Sequence, residues 1–149
     1  MYIQCQWHCK GKGEQFNPMY KYTPDNITEL PDNYIFVFGS NTAGVHGAGA
    51  ALHATHFGAK LRVGEGITGQ CYAFPTLNTD FSYGDLRLRK RSYEELLESA
   101  LKLFKCAQEH PNLTFLLTKV GCGLAGYEEE YMKLFFAESP SNVVKPERW

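Results

Sequence analysis

Two glycine-rich segments, each entered from an apolar run, hold the residues best suited to chemistry in this 149-residue chain. The first passes from Phe38-Gly39-Ser40-Asn41 into Gly44-Val45-His46-Gly47-Ala48-Gly49-Ala50-Ala51. The second is Gly121-Cys122-Gly123-Leu124-Ala125-Gly126-Tyr127, which follows Phe115 to Val120. A glycine turn leaving a buried strand frees backbone N–H groups and lets a ligand come close to the main chain. Where the turn opens a helix, the helix terminus adds partial positive charge, which suits phosphate. Two such loops in one small domain predict a groove for a ligand with two phosphates. The first loop is not a Walker A motif, because no Gly-Lys-Ser/Thr follows the glycines. A dinucleotide fingerprint is also absent, since its glycine spacing and its downstream acidic residue do not both occur.

The polar residues around these loops have two readings each. Asn41 directly follows the strand, where its amide can meet a ribose hydroxyl or simply shape a turn. His46 inside the loop is a titratable group that reaches either a ligand or solvent. His53 and His56 read as surface or packing residues, and Glu65, between Gly64 and Gly66, as a further polar contact. Cys5, His8 and Cys9 suggest a metal, but a structural zinc needs a second Cys/His pair and none follows, so no metal is expected. Cys122 has no Cys-x-x-Cys or His partner in the sequence and reads as a small residue lining the loop rather than as a nucleophile.

Alternating elements must position these loops. Tyr34 to Phe38 is continuously apolar and β-prone, the pattern of a strand covered on both faces. Gly49 to Phe57 predicts a short helix, and Cys71 to Phe74 a second buried strand stopped by Pro75. Ser92 and Glu95 form a capping box for a helix whose apolar stripe includes Leu96, Ala100, Leu103, Phe104 and Ala107, closed by Pro111. Leu113 to Val120 predicts a third strand, Glu128 to Ala137 a last helix, and Asn142 to Val144 a short edge strand. A further strand is expected near Tyr2 to Trp7. The run Arg87, Arg89, Lys90 and Arg91 reads as a solvated loop. Such alternation implies an α/β fold, a three-layer α/β/α sandwich with a mixed, mainly parallel sheet. In such sheets ligands sit beyond the carboxyl ends of the strands, where both glycine loops emerge.

The length fits a single domain over 1–149, with residues 1–21 as an extension packed on or near it. A formal net charge of −1 supplies no field for nucleic acid or an anionic membrane. No apolar stretch approaches the roughly 20 residues of a membrane span, and the start of the chain lacks a signal-peptide pattern. Five cysteines at irregular spacing fit reduced thiols. The expected location is the cytoplasm.

The order of these pieces resembles the macro domain, the ADP-ribose-binding α/β module, over roughly residues 22 to 130. Asp25-Asn26-Ile27-Thr28 stands where that family has Gly-Asp-Ile-Thr, and Phe38-Gly39-Ser40-Asn41 where it has Asn-Ala-Ala-Asn. Gly47-Ala48-Gly49 stands for its glycine loop, Gly64-Glu65-Gly66 for Gly-Glu-Ala, and Gly121 to Tyr127 for its last phosphate loop. Through the Phe-Gly-Ser-Asn and Gly-Cys-Gly-Leu-Ala-Gly-Tyr strings the chain more closely resembles a divergent group of phage and bacterial macro-domain-like proteins of uncharacterised function. The resemblance implies that Asp25 or Asn26 faces an adenine amino group and that Asn41 contacts the distal ribose. It implies that Gly47, Ala48 and Gly49 hold one phosphate, and that Gly121, Cys122, Gly123, Leu124, Ala125 and Gly126 hold the other. Tyr127 would cover the distal ribose. Ala50 and Ala51 stand where hydrolytic members often carry an acidic residue, so binding is better supported than hydrolysis. A catalytic version would hydrolyse an ADP-ribosyl ester or the terminal phosphate of a phosphorylated ADP-ribose, with Asn41 orienting and His46 as acid or base. No cofactor is required. The alternative is a protein-interaction module of phage or mobile-element origin, whose glycine loops serve packing alone and whose aromatic-rich N-terminal segment meets a protein partner.

Overall fold

The computed structural model describes residues 20–46, 49–80 and 87–149. The strand expected near Tyr2, the trio Cys5, His8 and Cys9, and the loop residues Gly47 and Ala48 lie outside the described residues. Among the described residues six strands form one sheet: β1 (Tyr34–Asn41), β2 (Gly66–Thr68), β3 (Cys71–Asp80), β4 (Arg87–Lys90), β5 (Thr114–Leu117) and β6 (Val143–Val144). The spatial order is β2-β3-β1-β5-β6, with β4 paired to β3. Strands β3, β1, β5 and β6 run parallel to one another, while β2 and β4 pair antiparallel with β3. Three α-helices accompany the sheet among the described residues: α1 (Gly49–Ala54), α2 (Tyr93–Glu109) and α3 (Glu129–Met132). The first and last continue as 3-10 turns over Thr55–Phe57 and Lys133–Phe136. The fold is therefore α/β with a mixed, mostly parallel sheet.

Successive strand residues point to opposite faces, so the apolar run of β1 feeds two cores. Ile35 and Val37 join Tyr72, Phe74, Phe115 and Leu117 in one cluster, to which α2 contributes Leu96, Ala100, Leu103, Phe104 and Ala107. Tyr34, Phe36 and Phe38 join Cys71, Ala73 and Leu116 in the other, with Ala54 of α1 and Ile27 and Leu30 from the segment before β1. The helix α2 starts where the capping box requires. The Ser92 hydroxyl accepts from the Glu95 N–H at 3.1 Å, and Glu95 Oε1 accepts from the Ser92 N–H at 2.9 Å. Its last turn is closed by Asn142, whose amide donates to the carbonyls of Ala107, His110 and Leu113.

Two expectations need correction. Pro75 does not stop β3, which runs on to Asp80. Proline removes a ladder donor and is tolerated at irregularities; Pro75 sits opposite Ser40, where the pairing with β1 slips by a residue before Asn41 meets Leu77. The basic run is not a loop either. Arg87 to Lys90 form β4, whose four residues are all exposed and which pairs with the extension of β3, and Arg91 is a partly buried structural residue. Its guanidinium donates to Asn78 Oδ1, the Pro75 carbonyl and Ser99 Oγ, tying β3 to α2.

Candidate functional site

The carboxyl ends of β1 and β5 leave the sheet side by side and carry the two glycine loops. Gly39 lies so near the second loop that a Cβ there would stand 3.3 Å from the Gly121 nitrogen. Gly121 has φ +80°, and a Cβ on it would meet the Tyr127 ring at 2.9 Å. Gly39 lets the main chains of the two loops approach closely, and Gly121 supplies a left-handed turn beneath the Tyr127 ring. The first loop is fixed by its own contacts. Asn41 Oδ1 accepts from the Val45 N–H at 3.1 Å, and its Nδ2 donates to the Val45 carbonyl at 3.0 Å. Gly44, at φ +72°, packs directly on the backbone of Arg62 and Val63.

Between the loops runs a groove of about 310 Å³. Its walls are Gly39, Ser40, Asn41 and Val45 on one side and Thr118 to Gly121 with Gly123, Leu124 and Ala125 on the other. Gly49, Ala50 and Ala51 of α1, Thr76 and Leu77 of β3, and Leu88 of β4 complete it. A neighbouring cavity of about 270 Å³ shares Gly49, Ala50 and Thr118 with the groove and is lined further by Asp25, Asn26, Phe36 and His53. Asp25 and Asn26 are exposed at its edge, and Phe36 forms part of its wall.

The polar side chains of the groove are largely occupied. Ser40 Oγ donates to the Gly64 carbonyl, Thr76 Oγ1 to the Ser40 carbonyl and Thr118 Oγ1 to the Val37 carbonyl. In the second loop, the Gly126 N–H donates to Gly123 and the Tyr127 N–H to Gly121, which rounds the turn. The N–H groups of Gly123, Leu124 and Ala125 have no acceptor among the described residues. A Cβ on Gly123 would meet nothing within 4 Å. Successive free amides on a rounded turn form a cradle for an anion.

The structure thus brings together Asn41, Gly49, Gly121, Gly123, Leu124 and Ala125, with Asp25 and Asn26 in the adjoining cavity. It places others elsewhere. His46 is buried beside Phe38, at 5.2 Å between ring centroids, and its Nε2–H donates to the Lys60 carbonyl. That position is on the core side of the loop, away from the groove walls. Cys122 packs against the core, and burial, with Glu129 nearby, pushes its thiol up to about 11. Tyr127 is buried: its hydroxyl donates to the Thr76 carbonyl at 2.8 Å and accepts from the Arg91 N–H at 2.7 Å. Gly126 has Lys90 against it, whose ammonium donates to the Gly126 carbonyl and sits 5.0 Å over the Tyr127 ring. Glu65 turns to α2, where it pairs with Lys102 at 3.5 Å.

Thr76, Leu77, Leu88, Thr118 and Lys119 line the groove and were missed by sequence reasoning; Lys119, the cation closest in sequence to the second loop, had that one signal. Among the described residues the groove walls carry no carboxylate, histidine or cysteine, no group of three or more His, Cys, Asp or Glu could hold a metal, and no helix is long and apolar enough to cross a membrane. Family models, curated proteins and solved structures yield no match to this chain.

Proposed function

We propose that this chain binds ADP-ribose or a related nucleoside diphosphate derivative between its two glycine loops, on a three-layer macro-domain-like scaffold. The observation that carries the reading is the turn at Gly123 to Ala125, three groove-lining residues whose amides have no acceptor among the described residues. The diphosphate lies on this turn and on the start of α1, and the base enters the cavity beside Asp25 and Asn26, against Phe36. Distal sugar atoms extend toward Asn41 and Leu88. The reading is one of binding; turnover would need a titratable group within hydrogen-bond reach of the reacting atoms. Lys119 is the single titratable side chain there among the described residues.

Calorimetric titration with ADP-ribose, ADP and AMP tests the reading. Micromolar binding of ADP-ribose, weaker binding of AMP and ligand recovered intact are the expected results. Absence of heat with all three sinks it. A protein-interaction role has one observation in its favour: Leu124 is 85% exposed at the tip of the second loop, near Leu88 and Val45, themselves 43% and 40% exposed. It predicts that Leu124→Asp abolishes capture of a protein partner while the nucleotides give no heat.

A further inference from the structure

Lys119 follows β5 and lines two spaces at once. One is the interloop groove, where it is the one lysine or arginine among the described lining residues. The other is a cavity of about 400 Å³ that it shares with Lys133, Arg148, Glu129, Glu130 and Glu147. Its ammonium pairs with Glu129 Oε2 at 3.4 Å, and both side chains are nearly half exposed. The other carboxylate oxygen, Glu129 Oε1, accepts from the Trp149 indole N–H at 3.4 Å. Trp149 in turn stacks on the buried Phe136, with ring centroids 5.8 Å apart. Glu129 is thus a propped counter-charge that holds the ammonium of a residue lining both spaces.

We propose that Lys119 determines the charge preference of the groove by exchanging Glu129 for an anionic group of the ligand. This rests on the nucleotide reading above and adds to it a residue that discriminates charged from neutral ligands. An ion pair between exposed side chains is weak, because water screens it and two flexible chains must be held. A phosphate oxygen in a groove whose hydroxyl side chains are already hydrogen-bonded offers the ammonium a stronger, charge-assisted hydrogen bond. The backbone walls shift little in such an exchange, since Thr118 is pinned to the Val37 carbonyl and the Cys122 N–H to the Lys119 carbonyl. Glu129 competes with the ligand, so the pair lowers affinity for every anion and favours ligands with enough charge to win.

The test uses wild type, Lys119→Gln, Lys119→Arg and Glu129→Gln, titrated with ADP-ribose, adenosine and inorganic pyrophosphate. Lys119→Gln should weaken ADP-ribose and pyrophosphate roughly tenfold, the size of one charge-assisted hydrogen bond at a partly exposed site. It should leave adenosine unchanged and flatten the salt dependence, and Lys119→Arg should retain most of the affinity. Glu129→Gln should tighten both anions about two- to fivefold, the worth of an exposed pair. Unchanged anion affinity in Lys119→Gln, or an equal loss for adenosine, overturns the inference and leaves the nucleotide reading standing. Lys119-dependent binding of pyrophosphate with no binding of ADP-ribose overturns the nucleotide reading and keeps the charge role. If wild type binds none of the three, both fall.

Discussion

Gly121 and Gly123 sit two residues apart in the same loop, yet substitution should affect them in opposite ways. Alanine at Gly121 must hold φ near +80° and place its Cβ 2.9 Å from Tyr127 Cδ2 and 3.3 Å from Thr76 Cγ2. The left-handed conformation costs a residue with a Cβ about 1–2 kcal/mol. The crowding adds about 1–2 kcal/mol, since Tyr127 is anchored by its hydroxyl at both Thr76 and Arg91 and has no direction in which to yield. The sum is about 2–4 kcal/mol, a fall in Tm of roughly 5–15 °C for a domain of this length. Gly123 has neither constraint: its φ is outside the left-handed region, and its Cβ position is empty to 4 Å. Valine there should change stability by less than about 0.5 kcal/mol, as at an unconstrained surface site, while its methyl groups fill the anion cradle. Circular-dichroism melting and calorimetry with ADP-ribose on both variants read the two effects separately. The reasoning is refuted if Gly123→Val destabilises as much as Gly121→Ala, or if it binds ADP-ribose as well as wild type.

Two further outcomes follow from the surroundings of the site. Tyr127→Phe removes the hydroxyl that joins the Thr76 carbonyl to the Arg91 N–H, so urea unfolding should show a loss of about 1–3 kcal/mol; a loss below a few tenths contradicts the anchoring role. Cys71 is fully buried, and that burial pushes its thiol from 9.0 up to about 12. In the folded state the thiol therefore resists iodoacetamide at about pH 8, and rapid alkylation of native protein would contradict its placement. The unfolded thiol loses its proton near 9 and the folded one near 12, so its contribution is fully present below pH 9 and is lost as pH rises toward 12. Over that window the urea midpoint of wild type should fall more steeply than that of Cys71→Ala.

The legible parts of the fold were those written into local chemistry. The unbroken apolar run at Tyr34 to Phe38 announced a strand buried on both faces, and Ser92 with Glu95 announced the start of α2. The edge position of Val143–Val144 followed from its brevity and the nearby proline. Strands β2 and β4 were not legible, because Gly66-Ile67-Thr68 and Arg87-Leu88-Arg89-Lys90 carry little apolar pattern and exist through pairing with β3. The extension of β3 past Pro75 depended on a register slip against β1 that no local pattern encodes. In the site, the glycine spacing pointed to the groove, and Asp25 and Asn26 were reached only through a resemblance. The inward turn of His46 was hidden because it depends on Phe38 and on the distant Lys60 carbonyl. The amide of Asn41 settles the loop through Val45, the turn role that sequence alone could not separate from ligand contact.

The central claim is that the free amides of the second loop and the start of α1 hold the ligand, with the base beside Asp25 and Asn26. The most direct measurement is a two-dimensional ¹⁵N–¹H NMR titration of the full chain with ADP-ribose. The account predicts saturable shifts at the amides of Gly49, Ala50, Gly123, Leu124 and Ala125, with smaller ones at Asp25 and Asn26. Saturation with those amides unmoved, or shifts confined to another face of the sheet, would contradict it.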